Sequence, residues 1–365
     1  MAQRFYPIPV AEVRHEADDA VSVQLAVPAD LAARFAFLPG QHLTLRREFD
    51  GLEQRRSYSL CSGVDTGEWR IGIRALPGGV FSTWANQALR PGDIIECMPP
   101  DGLFSPVLAS VHAKHYLLIA AGSGITPLLC IARSVLSREP RSQVTLLYGN
   151  RRPSTVMFRE DLEDLKNSHL RRLSVHHVFS REAQEVALAN GRLDAAKLQA
   201  FLDQLIAPAS LDEVFLCGPN AMLDELTATL RTAGVAAAHL HLERFGNDGV
   251  AGVPRVVTAV GTAATPAQTA GAEALVTVIA EGATRSLRLA PGGATILEAA
   301  RAAGIDLPFS CKSGVCSTCR AKLLVGTVEM RRNFALMPAD LAAGFVLTCQ
   351  ARPTSGQVTV SFDDR

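Results

Sequence analysis

Along residues 5–98, apolar and polar positions change over in short steps. Residues 21–27 read Val-Ser-Val-Gln-Leu-Ala-Val, close to the strict alternation of a half-buried strand. Pro39-Gly40, Asp50-Gly51, Pro77-Gly78-Gly79 and Pro91-Gly92 punctuate such runs as turns. Many short strands at this spacing predict a small antiparallel β-barrel. From about His115 the rhythm lengthens. Residues 116–121 form one continuous apolar run, followed by Gly-Ser-Gly and a helical stretch. Further buried-strand patterns fall at 144–148, 173–179 and 214–217, with helical periodicity at 158–167 and 193–205. Strands alternating with helices predict a parallel sheet covered on both faces, ending near Phe245. Residues 246–272 are rich in Gly, Ala, Thr and Pro, with few large apolar side chains after Val260, and are expected to be a flexible linker. Beyond them, strands are predicted at 275–279 and 285–289 and a helix at 295–303. The expected division is a barrel over 1–107, an α/β domain over 108–245, a linker over 246–272 and a small α+β domain over 273–365.

Charge narrows the function classes. Lys plus Arg and Asp plus Glu both number 36, so no net field points to nucleic acid or to an anionic membrane. No apolar run approaches the roughly 20 residues that span a bilayer. The first residues lack the apolar stretch and cleavage site of a signal peptide, so a cytoplasmic location is expected.

The eight cysteines are unevenly placed, four of them being Cys311, Cys316, Cys319 and Cys349. Their spacing, C-x4-C-x2-C with a distant fourth, is that of plant-type [2Fe–2S] ligation. Four thiolates must converge on two irons, so three come from one tight loop and the fourth from elsewhere. Ser310, Ser313, Gly314, Ser317 and Thr318 are small enough to let backbone N–H groups approach the sulfides. A structural zinc site is the alternative, although zinc knuckles favour two C-x2-C pairs and only one is present. A plant-type cluster carries one electron and cannot accept a hydride. An upstream group must therefore split the electron pair, and flavin is the common splitter.

Arg56-Ser57-Tyr58-Ser59 ends a predicted strand and resembles the R-x-Y-S motif of the ferredoxin–NADP reductase superfamily. The resemblance implies that Arg56 holds the flavin diphosphate, Tyr58 stacks on the isoalloxazine and Ser59 reaches the ring near its reactive nitrogen. About twenty residues on, Gly78-Gly79-Val80-Phe81-Ser82-Thr83 opens a predicted helix, where Gly79, Phe81, Ser82 and Thr83 would present N–H groups and hydroxyls to a phosphate. FAD is the flavin the resemblance implies, although some relatives use FMN. Gly122-Ser123-Gly124-Ile125-Thr126-Pro127 looks like the superfamily's G-x-G-x-x-P turn, which implies a nucleotide diphosphate at Gly122, Gly124, Thr126 and Pro127. In the same superfamily a Cys217-Gly218-Pro219 turn would set the cysteine against the nicotinamide. Ser180-Arg181-Glu182 resembles the element that binds the 2′-phosphate of NADP, with Arg151 as a second contact, so NADPH is the expected donor.

The order barrel, nucleotide domain, linker and β-grasp ferredoxin domain is similar to the reductase components of bacterial oxygenases. Residues 39–45, 148–151 and 241–245, together with the sequence before Cys311 and Cys349, resemble the reductase subunits of phenylacetyl-CoA epoxidases in phenylacetate catabolism. That resemblance implies hydride transfer from NADPH to flavin at Tyr58, Ser59 and Cys217, single-electron exit through the [2Fe–2S] cluster, and a diiron oxygenase as partner. Reductases of steroid, alkane and other aromatic oxygenases share the motifs. A non-turnover redox-sensing subunit, and a stand-alone reductase of a small acceptor, are the rivals from other classes. His42 and His241 have no ligand spacing and are expected to be structural. Phe245 is expected to cover the flavin.

Overall fold

The computed structural model describes residues 4–246, 256–260, 273–290 and 292–364. The chain forms two compact units, one spanning Phe5–Phe245 and the other built from the C-terminal part.

The first unit begins with β1 (Tyr6–Ala17), β2 (Ala20–Leu25), β3 (His42–Phe49), β4 (Leu52–Ser59), β5 (Trp69–Arg74), helix α1 (Val80–Gln87) and β6 (Ile94–Cys97). The strands lie in the order β4-β3-β6-β1-β2-β5. A bridge between Leu60 and Ile71 joins the two edges into a barrel. Alternate residues such as Ile8, Val10, Val21, Val23, Leu43, Leu45, Ile71 and Ile73 fill its interior, as a period of two requires.

The α/β half follows with β7 (His115–Ala121), α2 (Ile125–Arg138), β8 (Gln143–Asn150), α3 (Arg159–Ser168), β9 (Leu173–Phe179), α4 (Ala195–Gln204), β10 (Glu213–Cys217), α5 (Asn220–Thr232) and β11 (Leu240–Glu243). The sheet runs β11-β10-β7-β8-β9, every pair parallel. One face packs on α2 and α3 through Leu118, Leu128, Ile131, Leu146 and Leu162. The other packs on α4 and α5 through Leu117, Leu147, Leu198, Phe201 and Leu226. Burial on both faces explains why these strands read as apolar runs without alternation.

The two halves share a polar seam. Glu16 of the barrel, its side chain only 4% exposed, accepts hydrogen bonds from Ser22 (2.6 Å), Arg14 (2.9 Å) and the Phe158 N–H (3.1 Å). Arg14 also pairs with Asp161, which pairs with Arg133 at 2.5 Å, and Arg133 donates to the Cys61 carbonyl at 2.8 Å. A buried carboxylate is tolerated only with such partners.

The second unit contains β12 (Val256–Val260), β13 (Ala274–Ala280), β14 (Ala283–Leu289), α6 (Ile296–Ala302), β15 (Arg320–Met330), α7 (Pro338–Ala342), β16 (Phe345–Leu347), β17 (Ala351–Pro353) and β18 (Gln357–Ser361). Its sheet runs β12-β15-β18-β13-β14, with β16 and β17 also paired to β15. Strand β12 corrects the reading of 246–272 as linker throughout. Val256-Val257-Thr258 is β-branched, and the segment pairs antiparallel with β15 from Val256↔Met330 to Val260↔Gly326. Residues 247–255 and 261–272 of that stretch lie outside the described residues.

Candidate functional site

The four C-terminal cysteines come from two segments. Cys311, Cys316 and Cys319 lie on the loop between α6 and β15, and Cys349 lies between β16 and β17. Cys316, Cys319 and Cys349 are buried, while Cys311 is partly exposed. The loop doubles back through left-handed backbone at Lys312, Gly314 and Ser317, which turns its N–H groups inward. The Ser313 N–H points at the Cys311 sulfur at 3.3 Å. The Cys316 thiol first, then the N–H groups of Ser313, Val315 and Cys316, bring the Cys311 thiol down to about 6 against the opposing effect of burial. The thiols meet in pairs, Cys311 with Cys316 and Cys319 with Cys349, and the pairs face one another closely enough to interact. Among the described residues no three His, Cys, Asp or Glu side chains gather round one ion position. Two facing pairs with inward N–H groups fit a binuclear iron–sulfur cluster better than one tetrahedral zinc.

The flavin candidates lie on the barrel. Tyr58 is half-buried near the end of β4, its ring centroid 5.8 Å from that of Phe81 in α1. Arg56 is exposed, and its guanidinium donates to the Arg55 carbonyl at 2.7 Å. Arg55, by contrast, is buried and tied to Glu53 at 2.9 Å. Helix α1 starts after Gly79 with no side-chain cap and no acidic residue in its first turn, the condition in which a helix N-terminus accepts an anion. A Cβ on Gly79 would lie 2.5 Å from the Ser82 hydroxyl and 3.1 Å from the Leu76 carbonyl, so any other residue there would have to displace the bonds that close this turn. The Ser82 hydroxyl is turned inward, donating to the Gly79 carbonyl at 3.2 Å and accepting from the Leu76 N–H at 3.1 Å. Thr83 is half-exposed in the same turn. An uncapped start of α1, an exposed arginine on β4 and the Tyr58 ring against Phe81 fit a flavin diphosphate and ring.

The nucleotide candidates gather at the C-terminal ends of the parallel strands, where such sheets bind ligands. Gly122–Gly124 forms a single 3₁₀ turn between β7 and α2, with no side-chain cap. Gly122 has φ +55°, and a Cβ there would lie 2.8 Å from Nη1 of Arg74. A Cβ on Gly124 would fall inside the Cys217 carbonyl. The Gly122–Gly124 and Cys217-Gly218-Pro219 turns therefore press together backbone to backbone. Thr126 donates to the Ser123 carbonyl at 2.9 Å, and Thr126 and Pro127 are both buried in the first turn of α2. Ser180 and Arg181 stand exposed past the end of β9, tied to β8 by N–H bonds to the carbonyls of Asn150 (3.0 Å) and Arg151 (2.9 Å). From β10, which carries Cys217, to β9 is three strand steps, about 14 Å. That distance suits a dinucleotide laid across the sheet with its diphosphate over β7.

One residue without an expected role joins the two halves. Glu243 ends β11 in register with Cys217, and the Ser59 hydroxyl donates to its carboxylate at 3.4 Å. Burial raises the Glu243 carboxyl to about 8, a rise that Ser59 only tempers. Burial first, and Glu243 second, push the Cys217 thiol well above its ordinary value. Both groups are neutral at pH 7. The chain then leaves through Arg244, whose guanidinium holds the Asn220 side chain at 2.9 Å and pairs with Asp224. No spacing or motif in the sequence marks Glu243, whose character comes from contacts with residues far along the chain. Arg74, tied to Asp19 (2.9 Å) and the Thr155 carbonyl (2.6 Å), had no motif to mark it.

Because the folded-state carboxyl of Glu243 sits above its unfolded value, the unfolded chain ionises first as pH rises. Stability is present below the unfolded value and is lost as pH rises through about 8. Glu243→Gln should therefore melt about 2–5 °C above the wild type at pH 9, with the gain shrinking towards pH 5. A gain of equal size at both values would mean that the carboxyl does not titrate this way.

His42 is buried beside Asp101, and His241 stacks on Phe215 (4.4 Å) and bonds Glu213 at 2.9 Å. Phe245 is 47% exposed.

Three family models match in chain order: an oxidoreductase FAD-binding domain over residues 7–105, an oxidoreductase NAD-binding domain over 118–227 and a 2Fe-2S iron-sulfur cluster binding domain over 278–354. The chain is 43% identical over 359 residues to a component of the 1,2-phenylacetyl-CoA epoxidase of Escherichia coli (strain K12), covering 98% of both. It is 33% identical to the ferredoxin reductase component of 3-ketosteroid-9-alpha-monooxygenase of Rhodococcus rhodochrous, covering 97% of this chain and 95% of the relative. Phthalate dioxygenase reductase shares the fold at a TM-score of 0.57, with 23% identity and 98% of each chain covered.

Proposed function

Because this chain belongs to the family of oxygenase reductase components that join FAD-binding, NAD-binding and [2Fe–2S] domains, we propose that it draws hydride from NADPH and feeds single electrons to the diiron oxygenase of a phenylacetyl-CoA epoxidase. Bound flavin and the bound iron–sulfur pair supply the conversion of paired to single electrons. Arg56 and the start of α1 at Gly79–Thr83 grip the flavin diphosphate, and Tyr58 gives the ring an aromatic floor backed by Phe81. Gly122, Gly124, Thr126 and Pro127 form the nucleotide turn, with Arg74 as its cation. Cys217, Gly218 and Pro219 bound the nicotinamide pocket. Ser59 and the protonated Glu243 hold that junction neutral, and Cys311, Cys316, Cys319 and Cys349 hold the cluster.

The observation that carries the reductase reading is the junction of Ser59, Glu243 and Cys217, where the end of β4 meets the ends of β10 and β11. Identity of 43% along the whole chain favours the epoxidase over the steroid oxygenase as partner. Reconstitution tests this: with NADPH, the chain should support turnover of phenylacetyl-CoA by the epoxidase oxygenase subunits. Failure there, with turnover by a steroid or other ring oxygenase, would reassign the partner. No described helix is long and apolar enough to cross a membrane, and we place the protein in the cytoplasm beside its oxygenase.

Ser180 and Arg181 support NADPH over NADH, since each charged hydrogen bond to a 2′-phosphate contributes about 1.5–3 kcal/mol. Arg181→Ala should weaken NADPH use at least about tenfold and spare NADH. Equal losses with both nucleotides would remove Arg181 from cofactor choice.

A further inference from the structure

The four cysteines account for the cluster, but the cations round the cysteine loop have no role in it. The whole chain balances 36 Lys and Arg against 36 Asp and Glu, so a basic face on it is a local arrangement. Phe309, buried just before the loop, carries the Arg301 guanidinium of α6 at 4.3 Å and the Lys312 ammonium at 5.0 Å from its ring centroid. The loop also packs against the residues that follow β15. The Phe334 N–H donates to the Gly314 carbonyl at 3.0 Å, and a Cβ on Gly314 would lie 3.1 Å from the Arg332 carbonyl. Gln350 ties the two stretches together. Its side chain donates to the Lys312 carbonyl at 2.9 Å, and its own carbonyl accepts from the Arg331 N–H at 3.2 Å. These contacts join Arg301, Lys312, Arg331 and Arg332 into one surface around Cys311, the cysteine of the four that is partly exposed. Three of the cations are exposed and Arg332 is half-exposed, while Val315 and Phe334 add half-buried apolar area. The carboxylates of the neighbouring elements are Asp306 and Glu298, the latter held in the cap of α6 and close to Lys312 and Arg352. Among the described residues no salt bridge engages Arg301, Arg331 or Arg332, whereas Arg320 is bridged to Asp340 at 3.3 Å.

We infer that Arg301, Lys312, Arg331 and Arg332 form the docking surface for the protein that takes electrons from the cluster, and that this acceptor meets them with a patch of Asp and Glu. The inference rests on the cluster and the oxygenase role proposed above. Cys311 is the cysteine nearest to solvent, so an acceptor drawing electrons from the cluster must cover it. Four cations in one surface repel an acceptor rich in Lys and Arg and steer in one that presents carboxylates. A guanidinium pairs with a carboxylate through two parallel hydrogen bonds, which fixes orientation as well as attraction. A cation resting on an aromatic ring, as on Phe309, keeps its N–H donors for such a partner. Apolar side chains within a charged rim are the anatomy of a protein interface. Charge held at the rim acts over about 8 Å at physiological ionic strength, so the encounter is sensitive to salt.

The test sets an acceptor of each charge against the full chain loaded with flavin and cluster. Affinity for the epoxidase oxygenase subunits is measured directly, and cytochrome c serves as the basic acceptor. The variant carrying Arg331→Glu with Arg332→Glu should bind the oxygenase subunits at least about tenfold more weakly at low salt. It should reduce cytochrome c about threefold faster, because repulsion of a basic protein is relieved. Ferricyanide reduction at the flavin should stay within about twofold. Arg331→Gln with Arg332→Gln should fall between wild type and the reversal, and visible cluster bands kept in both variants show that the loop still folds. Unchanged or tighter oxygenase binding would overturn the acidic acceptor. Parallel slowing with oxygenase and cytochrome c would show that the arginines act on the cluster itself and would overturn the docking surface. A wild type without cluster bands would overturn the electron-transfer reading on which the surface depends.

Discussion

In the Cys349→Ser variant, NADPH-driven reduction of cytochrome c is expected to fall at least about 100-fold, while ferricyanide reduction, which needs only the flavin, stays within about twofold. Cys349 comes from a separate segment and faces Cys319, so the variant takes away the proposed fourth ligand and leaves the loop that carries the other three cysteines unbroken. A serine hydroxyl is a harder and far less acidic ligand than a thiolate. Visible and paramagnetic resonance spectra should lose the cluster signature and keep the flavin bands. Undiminished cytochrome c reduction would show that electrons leave without passing the cysteines.

Gly124→Ala is expected to have the second large effect. Gly124 has φ −61°, a value alanine adopts freely, so the cost is purely steric. The added methyl would enter the Cys217 carbonyl and come within 3.0 Å of the Gly218 N–H. Overpacking of this kind costs about 1–3 kcal/mol. Functionally, the two turns must part, and a displacement of about 1 Å at a hydride-transfer site costs on the order of 100-fold in rate. Stopped-flow reduction of the flavin by NADPH should slow by that factor while flavin content is retained. Wild-type rates in a folded variant would mean that the contact between the turns does not set the geometry of the site.

Much of this was legible in the sequence because local physics and tertiary structure agree. The run at 116–121 and the glycines after it can only end a buried strand closely followed by a helix start, and β7, the single turn and α2 occupy those places. The helix expected at 295–303 forms as Ile296–Ala302, capped by Thr295 and Glu298 in a reciprocal box. What could not be read depended on partners far along the chain. Val256–Val260 looked like linker because a five-residue segment amid Gly, Ala and Thr has no periodicity of its own. It becomes a strand because β15 offers an unpaired edge. Glu243 carried no spacing signal, since its character comes from burial against Ser59 and Cys217, residues 184 and 26 positions away. Ser82 belonged to the right turn, yet its hydroxyl closes that turn from within.

The grip of Arg244 on Asn220 and Asp224 has a mechanical consequence. Strand β11 ends at Glu243 in register with Cys217, and the unit itself ends two residues later at Phe245, so any strain at that end would bear first on the Glu243 carboxyl beside Ser59. A guanidinium fastened to the first turn and a half of α5 takes that load instead, as a cable clamp spares the terminal behind it.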